Sequence, residues 1–121
     1  MEIPLEGHSL TVVSTEYSLV LRSDNGFEIQ AEGQVDFETP GGDTQSITFD
    51  EHVGFDVKTF FGGKIATAAA DSTGELVINM ASGNRASVAV DEEFESWSIV
   101  GPGGYRIVCM SGGELATWGV N

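Results

Sequence analysis

Leu19-Val20-Leu21-Arg22-Ser23-Asp24-Asn25-Gly26-Phe27-Glu28-Ile29-Gln30-Ala31-Glu32 is the stretch on which the fold turns. Tyr17, Leu19 and Leu21 alternate with Ser18, Val20 and Arg22. After the break, Phe27, Ile29 and Ala31 alternate with Glu28, Gln30 and Glu32. A period of two places one set of side chains on a core and the other in water, which is the pattern of a half-buried strand. The break itself is Ser23-Asp24-Asn25-Gly26, and Asn-Gly accepts the positive φ of a tight type I′ turn. The stretch therefore predicts an antiparallel hairpin with an apolar face and an acidic face.

The same pattern returns 57 residues later. Leu19-Val20-Leu21 lines up with Leu76-Val77-Ile78, Gly26 with Gly83, and Phe37-Glu38 with Phe94-Glu95. A second echo sets Pro40-Gly41-Gly42 against Pro102-Gly103-Gly104 at an offset of 62, which implies a longer hairpin before that turn in the second half. In that half Leu76, Ile78 and Met80 lead into the turn Ala81-Ser82-Gly83-Asn84, and Ala86, Val88 and Val90 alternate with Arg85, Ser87 and Asp91. Residues 94–100, the turn Gly101-Pro102-Gly103-Gly104 and residues 105–110 read as a further hairpin, and 115–118 as a last strand.

One segment differs. Val53, Val57, Phe60 and Phe61 fall at near-helical spacing behind Asp50-Glu51-His52 and before Gly62-Gly63. Asp50 suits an N-cap and the glycines a stop, so a short helix is expected at about residues 52–61. Residues 65–70 then open the second half as a strand. The prediction is a mostly β fold of about ten or eleven strands. Two related antiparallel meanders, arranged by pseudo-twofold duplication as a barrel or a sandwich, flank one short helix. Residues 1–121 form a single domain, with the repeat at approximately 7–50 and 64–118.

A chain of 121 residues with 40% apolar content can bury a core without staples. Its single cysteine, Cys109, excludes an intrachain disulfide and sits in the apolar run Arg106-Ile107-Val108-Cys109-Met110, as a buried small residue would. No segment reaches the roughly 20 apolar residues of a membrane span. Met1-Glu2-Ile3-Pro4-Leu5-Glu6 lacks the basic and apolar regions of a signal peptide, so a cytoplasmic location is expected.

Charge is the dominant compositional feature. Nineteen Asp and Glu stand against five Lys and Arg, a net charge of −14. Residues 1–60 hold 12 acids and 2 bases; residues 61–121 hold 7 acids and 3 bases. Such a surface repels phosphate backbones, which argues against nucleic-acid binding, and attracts a basic protein. Solubility or salt adaptation is the plainer explanation of the same charge.

No catalytic set is visible. Asp71-Ser72-Thr73-Gly74 resembles the Asp-Thr/Ser-Gly loop of aspartic proteases, but it has one residue too many and no partner loop, so it reads as a turn. Asp24-Asn25-Gly26 resembles part of a calcium loop without the helices or terminal glutamate. His8 and His52 have no metal-ligand spacing, no phosphate-cradling glycine motif occurs, and neither a metal nor a cofactor is expected.

The candidate contact residues are the acidic run Asp91, Glu92, Glu93 and Glu95, with Trp97 and Trp118 as aromatic anchors should they prove exposed. Against this stand a solvated connection for the acids and a core position for the tryptophans. Glu38 and Glu95, related by the 57-residue offset, would be the carboxylates of a small β-barrel enzyme or cation-binding site if a twofold axis brought them together.

The C-terminal third carries Phe94-Glu95-Ser96-Trp97, then Gly101-Pro102-Gly103-Gly104, then Ile107-Val108-Cys109, then Gly112-Gly113-Glu114-Leu115-Ala116-Thr117-Trp118. This string resembles a bacterial family of small single-domain proteins of unknown function, with an aromatic-Glu-x-Trp, Gly-Pro-x-Gly and Gly-Gly-x-Leu-Ala-x-Trp signature. The unit from 71 to 90 also matches, and the first half matches loosely. The resemblance implies kinship with small acidic chains that serve as immunity factors beside toxins, and it assigns no site residue. The leading expectation is a non-enzymatic immunity or inhibitor protein that neutralises a basic partner. A small ligand-binding barrel or enzyme, and a self-assembling domain, are the alternatives. A monomer and a homodimer are both compatible with the sequence.

Overall fold

The computed structural model describes residues 1–49 and 56–120. Among them eleven strands form two antiparallel sheets. The first meander is β1 (Leu10–Ser14), β2 (Leu19–Ser23) and β3 (Glu28–Ala31). Next come β4 (Val35–Glu38), β5 (Thr44–Ile47) and the helix α1 (Val57–Phe60). The second half is β6 (Ile65–Ala70), β7 (Leu76–Met80), β8 (Arg85–Val88), β9 (Trp97–Val100), β10 (Arg106–Cys109) and β11 (Leu115–Trp118). One sheet has the order β1-β2-β3-β9-β10-β11 and the other β5-β4-β8-β7-β6. The sheets remain two layers and do not close into a barrel.

The order follows a simple rule. Each half begins with a three-stranded meander in one sheet and then crosses to the other sheet. So β3 pairs with β9 and β8 pairs with β4, with Ile29 opposite Ile99 and Phe37 opposite Ala86. β2 and β7, and β3 and β8, correspond at the 57-residue offset, whereas β4 and β9 correspond at 62. The Leu19/Leu76 and Gly26/Gly83 anchors therefore occupy matching positions. The Phe37/Phe94 anchor does not: Phe37 is buried on β4, while Phe94 is 69% exposed in the connection before β9. Two turn glycines show the correspondence most closely. Gly26 and Gly83 have φ of +93° and +97°, which an L side chain rarely adopts. Each also lies against a proline of the opposite half, Pro102 and Pro40 respectively.

Alternating burial explains the layers. Leu19, Leu21, Ile29, Ala31, Val35, Phe37, Leu76, Ile78, Ala86, Val88, Ile99 and Ile107 all point inward and are buried, while their neighbours along each strand are partly or fully exposed, except Val108 of β10, which is buried as well. Phe60 packs edge-to-face on Phe37 at 4.8 Å between ring centres, and Phe61 on Phe60 at 5.3 Å. The helix is shorter than expected. It starts at an N-cap of Asp56, whose carboxylate accepts the Thr59 N–H, and Phe61 closes it. The expected cap Asp50 and the expected helical positions from His52 to residue 55 lie outside the described residues.

The N-terminal segment seals one edge. Ile3 donates to the Ala68 carbonyl at 2.9 Å, Gly7 to Ile65 at 2.8 Å, and Ile65 in turn to His8 at 2.8 Å. The chain thus runs along β6 in one sheet before entering the other as β1. His8 Nδ1 lies 2.6 Å from Asp24 Oδ1, and the Asn25 amide donates to the Pro4 carbonyl at 2.9 Å, which pins the segment to the β2–β3 turn.

Candidate functional site

In an antiparallel meander alternate turns lie at the same end of the sheet. In the second half three such connections, 71–75, 89–96 and 110–114, meet at one end of the sandwich. They carry all seven acids of residues 61–121: Asp71, Glu75, Asp91, Glu92, Glu93, Glu95 and Glu114. They hold no Lys or Arg; the three bases of that half, Lys64, Arg85 and Arg106, stand at strand starts at the opposite end. Glu32 adds an eighth carboxylate at this end, since its N–H donates to the Ser96 carbonyl at 2.9 Å. Asp71, Glu92, Glu93, Glu95 and Glu114 are exposed, and Glu75 and Asp91 are half-buried. Phe94 stands among them with 69% of its surface in water, and Met110 with 40%.

The loops are held together by backbone contacts. The Gly112 N–H donates to the Asp91 carbonyl at 2.8 Å. The Asp91 carboxylate accepts the N–H of Glu93 at 2.8 Å and of Phe94 at 3.1 Å, so it shapes its own loop. Trp97 Nε1 donates to the Gly74 carbonyl at 2.9 Å, and the Cys109 thiol approaches the same oxygen at 3.4 Å. Gly74 and Gly113 cross at closest approach, with φ of +94° and +95°. A Cβ at Gly74 would land on the Gly113 carbonyl, and one at Gly113 on the Thr73 carbonyl. Gly74→Ala is therefore expected to cost about 2 kcal/mol or more, from positive φ and a backbone clash together. A urea unfolding curve reads this as a lower midpoint at unchanged slope.

Asp71 closes the first loop. Its carboxylate accepts the Thr73 hydroxyl and the backbone N–H groups of Thr73 and Glu75, and these bonds hold it below the ordinary 3.8 against a smaller opposing effect of desolvation. A depressed pKa contributes stability that is present above the ordinary value and is lost as pH falls through the lower folded one. Acidification below about pH 4 should therefore loosen this loop and the Trp97–Gly74 bond with it. The Trp97 indole N–H resonance, followed against pH, should shift in the wild type, and Asp71→Asn should remove that part of the response.

The predicted contact residues separate in space. Asp91, Glu92, Glu93 and Glu95 share one connection, with Asp71, Glu75, Glu114 and Phe94 at the same end. Trp97 is corrected: only 1% of it is exposed, and its ring is core with the indole N–H satisfied inside, so it presents nothing to a partner. Trp118 is 51% exposed but lies at the other end of β11, opposite Arg106, whose guanidinium sits 5.2 Å from the ring centre. Glu38 is exposed on β4, opposite Arg85 of β8, and Glu95 is exposed in the connection before β9. The strand position matching Glu38 is Val100, so the fold does not relate these two carboxylates. Among the described residues no group of three or more His, Cys, Asp or Glu is placed to hold a metal ion, and no helix is long and apolar enough to cross a membrane.

Two concavities lie elsewhere. One of about 570 Å³ runs between residues 12–16 of β1 and its turn and residues 56–58 at the start of α1. Another of about 580 Å³ lies between the N-terminal segment, Tyr105 and Val120. Both are open, and neither is lined by residues of the 71–75, 89–96 or 110–114 connections.

A family model described as "Family of unknown function (DUF6188)" matches residues 1–119, and the chain belongs to that family. No curated protein and no solved structure matches the chain.

Proposed function

We propose that this DUF6188 member is a non-enzymatic binding protein that docks a basic protein partner against its acidic end, as an immunity or inhibitor protein does against a toxin. The observation that carries the reading is the gathering of seven carboxylates, without a cation, around an exposed aromatic ring. Clustered like charge raises the local concentration of a cationic protein and speeds encounter. Phe94 supplies what charge alone lacks, an apolar anchor that desolvates on contact. The aromatic-Glu-x-Trp signature that contains Phe94 and Glu95 supports placement among small bacterial proteins, and a cytoplasmic location is part of the same proposal. Repetition of the meander-then-crossover pattern supports descent of the halves from one duplicated unit.

The experiment is a capture with the whole protein as bait, at ionic strengths of about 0.05 M and 0.5 M, where screening differs most. The expected result is a basic protein retained at low salt, released at high salt and not retained by a Phe94→Ala bait. No partner at low salt, or one that binds the Phe94→Ala bait equally well, would overturn the reading. Because the same charges repel one another in the free protein, the melting temperature should rise with added salt in the absence of partner.

A further inference from the structure

We propose that β11 is a self-association edge: two copies pair antiparallel through Leu115–Trp118 about a twofold axis at Thr117, continuing the six-stranded sheet across the dimer. The argument begins with the sheet edges. The β6 edge is paired with the N-terminal segment. The β1 edge carries an irregularity between Val12 and Ser14 and faces α1 across a cleft. The β5 edge is polar, with Thr44, Gln45 and Ser46 all exposed, and Glu38 and Asp36 lie on the adjoining strand. β11 is the apolar edge, Leu-Ala-Thr-Trp, and among the described residues no strand pairs with its far side. An unpaired run of N–H and C=O groups on such a strand is a template for another chain.

Charge selects which chain. A second copy also carries −14 and is repelled from most of this surface. Residues 96–110 and 115–120 contain no Asp or Glu. The face of β9, β10 and β11 turned away from the core carries Ser98, Val100, Arg106, Ala116 and Trp118 around a buried Val108, so its one charge is positive. This is the region where two copies can touch without setting carboxylate against carboxylate.

Register follows from parity. Residues directly opposite in an antiparallel pair share a face. An axis at Thr117 sets Ala116 opposite Trp118 of the partner subunit, a small residue against a large one, once on each side of the axis. An axis at Ala116 would set Glu114 opposite Trp118 of the partner subunit. Antiparallel pairing also carries the two acidic ends to opposite poles of the dimer, so self-association leaves the face of the proposed function free.

The test is sedimentation of the whole protein across protein concentration at low and high salt. The expected result is a mass rising from 12.8 kDa toward twice that value, and more readily as salt screens the −14 charges. Trp118→Asp and Thr117→Lys, both at exposed positions, should each return the protein to monomer with an unchanged circular dichroism spectrum. Under mild oxidation Thr117→Cys should give a disulfide-linked dimer faster than Ala116→Cys. A monomer at every concentration in high salt would overturn the proposal. So would a dimer that survives both charged substitutions, or faster cross-linking at 116, which would contradict the axis.

Discussion

Trp97→Ala should remove about 3–5 kcal/mol of folding stability, a large fraction of the 5–15 kcal/mol typical of a domain. The size of the effect follows from position. Trp97 opens β9, pairs with Ala31 on one side and Cys109 on the other, and is 1% exposed. Its removal leaves a cavity at the centre of the six-stranded sheet. It also strips the Gly74 carbonyl of its indole donor at 2.9 Å, beneath the point where the 71–75 and 110–114 loops cross. Trp97→Phe separates these contributions, because it keeps most of the apolar volume and loses the donor. It is expected to cost about 1–3 kcal/mol, the penalty of a buried carbonyl left with only the weak Cys109 thiol as donor. Chemical denaturation of the three proteins reads both values. Equal and small losses would mean that the ring does not organise the acidic end.

The second large effect is on association. Replacing Asp91, Glu92, Glu93 and Glu95 together by lysine changes the charge by eight units, from −14 to −6, at positions that are exposed or half-buried. Since Asp91 also holds its own loop through two backbone bonds, a companion variant retains Asp91 and reverses only the other three. In both, the association rate with the captured basic partner should fall by about 10²-fold at low salt, within the range that electrostatic steering supplies. The loss should shrink as salt rises, because the attraction removed is itself screened. Reversal of Glu28, Glu38 and Asp43, which lie at the opposite end of the sandwich, should reduce the rate far less. Equal losses from the two sets of reversals would reduce the acidic end to a share of bulk charge.

Much of this architecture is legible in the sequence because it is local. The Leu19–Glu32 hairpin rests on alternation and on an Asn-Gly turn, and both are properties of neighbours along the chain. β2, β3, β7 and β8 accordingly fall where the pattern puts them. The division of strands between two sheets is not legible, because β3 chooses β9 and β8 chooses β4 through the packing of distant segments. Phe94 misleads for a related reason: an apolar residue three places before a strand reads as part of it, and burial alone separates it from Trp97. The two tryptophans are alike in sequence and opposite in the fold, one in the core and one on an edge.

The acidic end had a signal that composition by halves conceals. Counted by turn, every acid of residues 61–121 falls in or beside alternate connections, while Lys64, Arg85 and Arg106 each precede or begin a strand at the other end. In a meander that alternation is a statement about space. The described acids of the first half are spread over both ends, with Glu32 at one and Asp24, Glu38 and Asp43 at the other.

The measurement that bears most directly on the acidic end as a docking face is a backbone amide titration of the whole protein with a lysine-rich peptide containing one aromatic residue. The account predicts shifts concentrated in 71–75, 89–96 and 110–114, largest around Phe94, and abolished by high salt. Shifts spread evenly over Glu6, Glu28, Glu38 and Asp43 as well, or centred on those residues, would contradict it.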